Sequence, residues 1–417
     1  MRARTGPVEV AVRSRPDQVL LQARLLLIAG FVTALISGAL AAPATTAKRD
    51  EGFQTSAPAA VLLDPESDSV LFEKSGDELV APASLAKLMT LETVFHAIQQ
   101  GQIKLDDEIV ISENAWRRGG APSHGPTMFA AIHSRVKVDD LIHGVIVDSA
   151  NDACIALAEA LAGNETAFAA LITKRARELG LQKSTFTNAT GNSDPRMQVT
   201  ARELAELARH IIQTYPDLYP YFAEREFTWN NIHQQNRNPL LALGIGADGL
   251  KTGETSDGGF NVVGSALANG LRLIVVVTGA KSEKERSDEA RKLLDWGFHG
   301  FDSRLLFAEG QTIGEAKVFG GTRSYVPLVA QGTIKVMVPR DKNERLSVHI
   351  VYTGPVPAPV QKGQPIGKLK VTRGEYLALE APLRAAQDVG PGTVRQRAMD
   401  SATELMISLF RAGVDRL

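Results

Sequence analysis

The chain of 417 residues is 44% hydrophobic and 22% charged, with 36 Gly and 20 Pro, which excludes collagenous, mucin-like and largely disordered proteins. A formal charge of −1, with no Lys/Arg block carrying interleaved aromatics, argues against nucleic acid as a partner. The one cysteine, Cys154, leaves no intramolecular disulfide and no thiolate zinc cluster, so about two or three domains must hold together by packing.

In chain order, Arg13, Arg15 and Arg24 lead into the uncharged stretch Leu25 to Ala42, which closes with Ala39-Leu40-Ala41 before Ala42-Pro43. This predicts a cleaved secretory signal over residues 1–41; the stretch is borderline in length for a retained span and rich in Ala and Gly. Its removal takes away five Arg, one Glu and one Asp and leaves a mature charge of −4. Residues 42–56 are aperiodic and read as a linker.

Ala59 to Leu63 and Val70 to Phe72 flank a turn-rich segment and predict a hairpin. Leu85, Leu88, Leu91, Val94, Phe95 and Ile98 recur at helical spacing, predicting a helix from Leu85 to Gln100 stopped by Gly101. A second helix is predicted from Ser149 to Ala162, closed by Gly163. Phe260 to Leu267 and Leu271 to Thr278, joined through Asn269-Gly270, predict a hairpin, and a helix is expected from Glu283 to Phe298. Strands at both ends with helices between them indicate one α+β domain over residues 57–302.

From Leu305 to Ala381, short apolar runs (Lys335 to Val338, Leu346 to Tyr352, Gly367 to Val371) alternate with Gly/Pro-rich turns, the pattern of a small all-β sandwich over residues 303–392. The tail, 393–417, places Val394, Ala398, Ala402, Leu405, Met406, Leu409, Phe410 and Val414 on one helical face, opposite Arg397, Asp400, Glu404, Arg411 and Asp415. That predicts an amphipathic helix on a membrane surface, too charged to cross it.

The candidate chemistry starts at Ser84-Leu85-Ala86-Lys87. A serine hydroxyl needs a base within hydrogen-bond reach, and residues three apart share a helix face, so Lys87 can hang beside Ser84. Pro82 suits a helix start, where free N–H groups can stabilise an oxyanion. Ser149-Ala150-Asn151 and Lys251-Thr252-Gly253 follow. Each tripeptide has a decoy, at Ser134-Arg135-Val136-Lys137, Ser112-Glu113-Asn114 and Lys74-Ser75-Gly76. Only Ser84, Ser149 and Lys251 combine the order serine-lysine box, Ser-x-Asn box, Lys-Thr-Gly box with helix starts for the first two and a lead into strands for the third.

The stretches Pro82 to Thr90, Ser149 to Ala153 and Asp248 to Gly253 closely resemble the low-molecular-mass penicillin-binding proteins that act as serine-type D-alanyl-D-alanine carboxypeptidases. The likeness runs on through Asn236-Arg237-Asn238, Gly259 to Val263 and Leu293 to Phe298. It implies a penicillin-binding/β-lactamase-like transpeptidase domain, a mixed sheet with a helical subdomain, ahead of the small sandwich and terminal helix. It also implies that Ser84 attacks the carbonyl between the last two D-alanines of a peptidoglycan stem peptide, with Lys87 as general base and Ser149 as proton relay. Asn151 would orient Lys87 and the substrate amide. Lys251, Thr252 and Gly253, aided by Arg237, would hold the free carboxylate. The backbone N–H groups of Ser84 and Glu254 would form the oxyanion hole, with no metal or cofactor. β-Lactams would acylate the same serine, and the protein would work in the periplasm, on the outer face of the inner membrane.

Glu254 stands where better-known relatives carry His, Thr or Tyr, and it sets a negative charge at the cleft mouth. Lys281 reads as a solvated surface charge and Cys154 as a small buried hydrophobe. The eight histidines lack metal-ligand spacing, His124 being the one nearest a candidate loop. The competing activities are a D,D-endopeptidase and a weak β-lactamase. The latter is disfavoured because Gly180 to Asn188, read as the loop that would carry a deacylating acid, contains none.

Overall fold

The computed structural model describes residues 6–11, 53–255, 258–340, 346–373 and 376–402. The larger unit is built on a five-stranded antiparallel sheet of β1 (Ala59–Asp64), β2 (Ser69–Lys74), β3 (Ala247–Thr255), β4 (Gly259–Ala268) and β5 (Leu271–Ala280), in the order β2-β1-β5-β4-β3. Side chains alternate between the two faces of a strand. Here both faces are covered. Val61, Leu63, Val263, Ile274 and Val276 join the core shared with the helices, while Leu62, Val262, Leu273, Val275 and Val277 join the core under a single long helix. That double burial turns the period of two into continuous apolar runs.

The longer helices are α1 (Lys87–Gln99), α2 (Asn151–Ala162), α3 (Glu165–Glu178), α4 (Ala201–Thr214) and α5 (Glu283–Gly300). α5 lies alone on one face, its first turn capped by Ser282, whose hydroxyl accepts from the Glu285 N–H at 3.1 Å. Lys87 to Phe95 of α1 and the first eight residues of α2 are buried, so both are core helices rather than amphipathic surface ones.

Four differences from the sequence reading bear on the site. α1 starts at Lys87, preceded by a 3-10 turn over Ala83–Ala86 that holds Ser84. α2 starts at Asn151, leaving Ser149 in a left-handed conformation ahead of it. β3, which contains the Lys-Thr-Gly box, is itself a strand. α3 and α4 fill a segment the apolar periodicity did not resolve.

The second unit has a seven-stranded sheet and a two-stranded ribbon of Phe301–Phe307 with Ile334–Pro339. Ile334 and Val336 of the ribbon share one core with Val326, Leu328, Ile350, Leu369 and Leu383 of the sheet. Its runs at Leu346–Gly354 and Pro365–Arg373 pair antiparallel, as the turn spacing suggests. The units are joined through Arg373, whose guanidinium donates to the Leu71 carbonyl at 2.7 Å, and through a Lys335–Glu66 ion pair at 2.8 Å. Gly6–Ala11, inside the expected leader, adds a strand to the free edge of Leu346–Gly354, where unpaired backbone groups accept one.

The tail begins as a helix from residue 394 to residue 402. Thr393 and Gln396 form a reciprocal capping box, and the Asp400 carboxylate accepts from the Gly320 N–H at 2.8 Å. Val394, Arg397, Ala398, Asp400 and Ala402 fall within it; Glu404, Leu405, Met406, Leu409, Phe410, Arg411, Val414 and Asp415 lie outside the described residues. Among the described residues, no single helix is long and apolar enough to cross a membrane.

Candidate active site

Ser84 sits on a tight turn rather than in a regular helix. Ala83 before it has φ +51°, a left-handed value that costs a residue with a Cβ about 1–2 kcal/mol. The surroundings enforce the turn. Gly191 packs its α-carbon on the Ala83 carbonyl so closely that a Cβ there would fall onto that oxygen, and its own φ is +83°. From β3, a Cβ at Gly253 would lie 3.0 Å from the N atoms of Ser84 and Leu85. The Gly of the third box is therefore a spacing residue that lets β3 back onto the serine turn.

Lys87 opens α1 and points its amine at the serine: Nζ lies 2.9 Å from Ser84 Oγ and 2.6 Å from the Thr190 carbonyl oxygen. The side chain is 1% exposed. Burial lowers its pKa to about 8; the nearby Cys154 works against this, and the charge of Arg237 works with it. A sizeable fraction is thus a neutral amine near neutral pH, as a general base requires. Thr190, which sequence reasoning did not find, holds the amine through its backbone carbonyl. The expected Lys87 contact from Asn151 is not among its hydrogen bonds; the Thr190 carbonyl takes that place because Gly191 brings its loop onto the serine turn.

Ser149 ends a π-helical turn, Gly144–Asp148, with φ +58°. Its Oγ is buried and has no hydrogen-bond partner, and the same holds for Asn151 Oδ1. Two unpaired buried polar atoms two residues apart in the chain mark where a ligand's polar groups belong. A Cβ at Gly119 would overlap the Asn151–Asp152 backbone, and one at Gly125 would stand 3.2 Å from Asn151 Nδ2, so two segments, the end of the helix Glu113–Gly119 and the loop after it, approach Asn151 closely. His124 lies exposed in that loop.

Opposite stands β3, the edge strand of the sheet. Lys251 pairs with Val263, Thr252 with Val262 and Gly253 with Asn261 on β4, which leaves the other edge of β3 open to the cleft. Lys251 is 2% exposed, and its ammonium is driven well below the ordinary lysine range by burial, then by the charges of Lys87 and Arg237. Arg237 is exposed at the rim on a loop braced by its asparagine neighbours: Asn236 donates to the Glu224 carbonyl at 2.7 Å and Asn238 caps the following turn. Glu254 is exposed, its charge acting on Arg286.

Cys154 is fully buried beside the two lysines, and burial raises its thiol to about 11, so it is inert. Lys281 is exposed. The decoys have other occupations. Ser134 donates to the Ala131 carbonyl, Ser112 caps the helix Glu113–Gly119, and Lys74 donates to the carbonyls of Thr55 and Ala57. Among the described residues, no group of three or more His, Cys, Asp or Glu is placed to hold a metal ion.

The loop that reaches the nucleophile is Thr190 to Gln198, not Gly180 to Asn188 as the sequence reading had it. With Ala81 to Ala83 and Thr255 it walls a cleft beyond Ser84. It does contain an acid, Asp194. That carboxylate accepts from Arg196 at 3.0 Å and 2.7 Å and from the Arg196 backbone N–H, which hold it far below the usual carboxylate range, so it is no free base.

Residues 44–282 match the family model of D-alanyl-D-alanine carboxypeptidases, and residues 301–391 match that of the penicillin-binding protein 5 C-terminal domain. The chain is 37% identical over 343 residues to the D-alanyl-D-alanine carboxypeptidase DacC of Escherichia coli, covering 82% of this chain and 86% of that one. Among solved structures, penicillin binding protein 5 from Haemophilus influenzae superposes with a TM-score of 0.69 at 37% identity, over 81% of this chain and 99% of that one. Penicillin-binding protein D2 from Listeria monocytogenes, in an ampicillin-bound form, matches at 28% identity and a TM-score of 0.51, over 59% of this chain and 99% of that one.

Proposed function

The chain belongs to the D-alanyl-D-alanine carboxypeptidase family, and from that premise we propose that it removes the terminal D-alanine of peptidoglycan stem pentapeptides through a Ser84 acyl-enzyme and binds β-lactams covalently at the same serine. The observation that carries this is the buried Lys87 amine, 2.9 Å from Ser84 Oγ, facing a second buried lysine on an open strand edge.

The substrate lies along β3 as an added strand, its free carboxylate on Lys251 and Thr252 with Arg237 at the rim. Its scissile carbonyl then falls at Ser84, and the residues ahead of that bond run past Thr255 into the cleft walled by Asn192 to Asp194. Neutral Lys87 takes the Ser84 proton as Oγ adds to the carbonyl. The oxyanion is held by the N–H groups of Ser84 and Glu254. Ser149 gives its proton to the departing amine and takes back the one held on Lys87, which is neutral again; D-alanine leaves, and the ester remains. Water, losing its proton to Lys87, adds to the ester, and Ser84 recovers its proton as the shortened peptide leaves. Asn151 Oδ1 accepts from the substrate amide N–H. Endopeptidase and β-lactamase activity are less favoured: the first needs no free carboxylate for Lys251 to bind, and the second has in Asp194 an acid already engaged by Arg196.

Export through residues 1–41, a periplasmic location and a tail lying on the membrane surface complete this reading. They are supported by the leader's charge and small-residue pattern and by the amphipathic spacing of 393–417. The test of the activity is direct: purified protein incubated with a stem pentapeptide should release D-alanine, and a labelled β-lactam should attach to the parent but not to Ser84→Ala. No release, or labelling that persists in Ser84→Ala, would overturn it.

A further inference from the structure

Among the buried carboxyls that the mechanism does not use, Asp148 stands next to the catalytic machinery. Asp148 closes the π-helical turn immediately before Ser149, is 1% exposed, and has an Oδ1 atom with no hydrogen-bond partner. A buried, ionised carboxylate with an unpaired oxygen is among the costliest arrangements a fold can hold. The charged groups that act on it are Arg237 from the rim loop and Lys251 from β3, which attract its anion, and Asp152 from α2, which repels it. The first two are also the cations assigned to the substrate carboxylate.

We propose that Asp148 regulates the charge of the carboxylate site: neutral, it leaves Lys251 and Arg237 to the substrate's terminal carboxylate; ionised, it competes for them as an internal anion. This rests on the carboxylate role given to Lys251 above. Burial raises the Asp148 carboxyl to about 7, so the exchange falls in the working pH range. The coupling is reciprocal: an anion bound at Lys251 disfavours the Asp148 anion, so binding near pH 7 takes up a proton, while raising the pH weakens binding. Asp148 is a positioning residue and touches no reacting atom.

The experiment uses the full chain carrying Ser84→Ala, so that binding is read without turnover. Affinity for a peptide ending in D-alanyl-D-alanine, and for the same peptide with its terminal carboxylate amidated, is measured by calorimetry from pH 6 to pH 8, with Asp148 intact and as Asp148→Asn. From pH 6 to pH 8 the carboxylate peptide should weaken about fivefold more with Asp148 intact than in Asp148→Asn, where only Lys87 and Lys251 titrate, and Asp148→Asn should bind more tightly at pH 8. Equal pH dependence in both forms, or weaker binding by Asp148→Asn at every pH, would overturn the inference about Asp148 alone. Equal affinity for the two peptides in both forms would instead overturn the carboxylate role of Lys251. Asp148→Ala gives the same comparison if the Asn variant does not fold, and proton uptake by the Asp148 form, read in buffers of different ionisation enthalpy, checks the coupling without either variant.

Discussion

Replacing Lys87 by Met separates what the site does for catalysis from what it costs the fold. The amine is buried, with a pKa of about 8 against an ordinary 10.5. A depression of about 2.5 corresponds to about 3 kcal/mol against the charged form in the folded protein. Because the folded value lies below the unfolded one, the unfolded chain holds more protons between pH 8 and 10.5, and stability rises with pH across that window; below pH 8 the full penalty applies. Lys87→Met removes the penalty together with hydrogen bonds to Ser84 Oγ and the Thr190 carbonyl, each worth about 1 kcal/mol. At pH 7 the variant should therefore be inactive yet more stable than the parent by about 1 kcal/mol. By pH 10.5 that advantage should have fallen by about 3 kcal/mol and changed sign. Urea unfolding of both proteins at closely spaced pH values measures this. A stability difference of the same size at pH 7 and pH 10 would refute the reasoning, because it would mean that the buried amine carries no displaced titration.

The same titration sets the rate: acylation by a β-lactam should climb about tenfold between pH 7 and pH 9 as the neutral amine grows from about a tenth to about nine tenths, and a stopped-flow pH profile that is flat there would remove Lys87 as base. Gly191→Ala forces a Cβ onto the Ala83 carbonyl and a side chain into a left-handed backbone, so acylation should fall at least tenfold while the melting temperature drops by only a few degrees; unchanged labelling kinetics would show that the serine turn does not depend on that packing. Lys251→Gln should lower kcat/KM on pentapeptide by about tenfold or more with the fold retained, and turnover within about a factor of two of the parent would contradict the carboxylate role. For the tail, stopping the chain after Gly392 should move β-lactam-labelled protein from the membrane to the soluble fraction of cells, and equal recovery of both forms in the soluble fraction would refute the anchor.

Local chemistry made much of the active site legible. Ser84 and Lys87 stand three apart in a segment whose apolar spacing already announced a helix, and the Asn269-Gly270 turn placed β4 and β5 side by side without reference to anything distant. The limits are equally physical. β3 was not visible as a strand, because its polar and glycine residues answer to distant partners, Asp248 to Arg272 and Tyr219, Gly249 to Phe222 and Gly253 to the serine turn, and they mask the alternation that strand recognition relies on. α3 and α4 did carry signals, in Asn164 and Thr200 as caps, the latter followed by Glu203, but apolar spacing alone did not expose them. Thr190 and Gly191 had no signal at all: a backbone carbonyl and a missing Cβ matter only where another segment arrives.

By itself, then, the sequence determined the residue types, their order and the helices and turns whose reasons are local, because those depend on neighbours a few positions away. Tertiary structure decided the rest: that the Thr190 carbonyl holds the base, that Gly253 and Gly191 let a strand and a loop press onto the Ser84 turn, that Asp194 is taken by Arg196, and that Asp148 Oδ1 is left unpaired next to Ser149. The dividing line is burial. The pKa values of Lys87, Lys251 and Asp148 depart from those of the free side chains chiefly because packing removes water from them, and which side chains lose their water is settled only when distant segments meet.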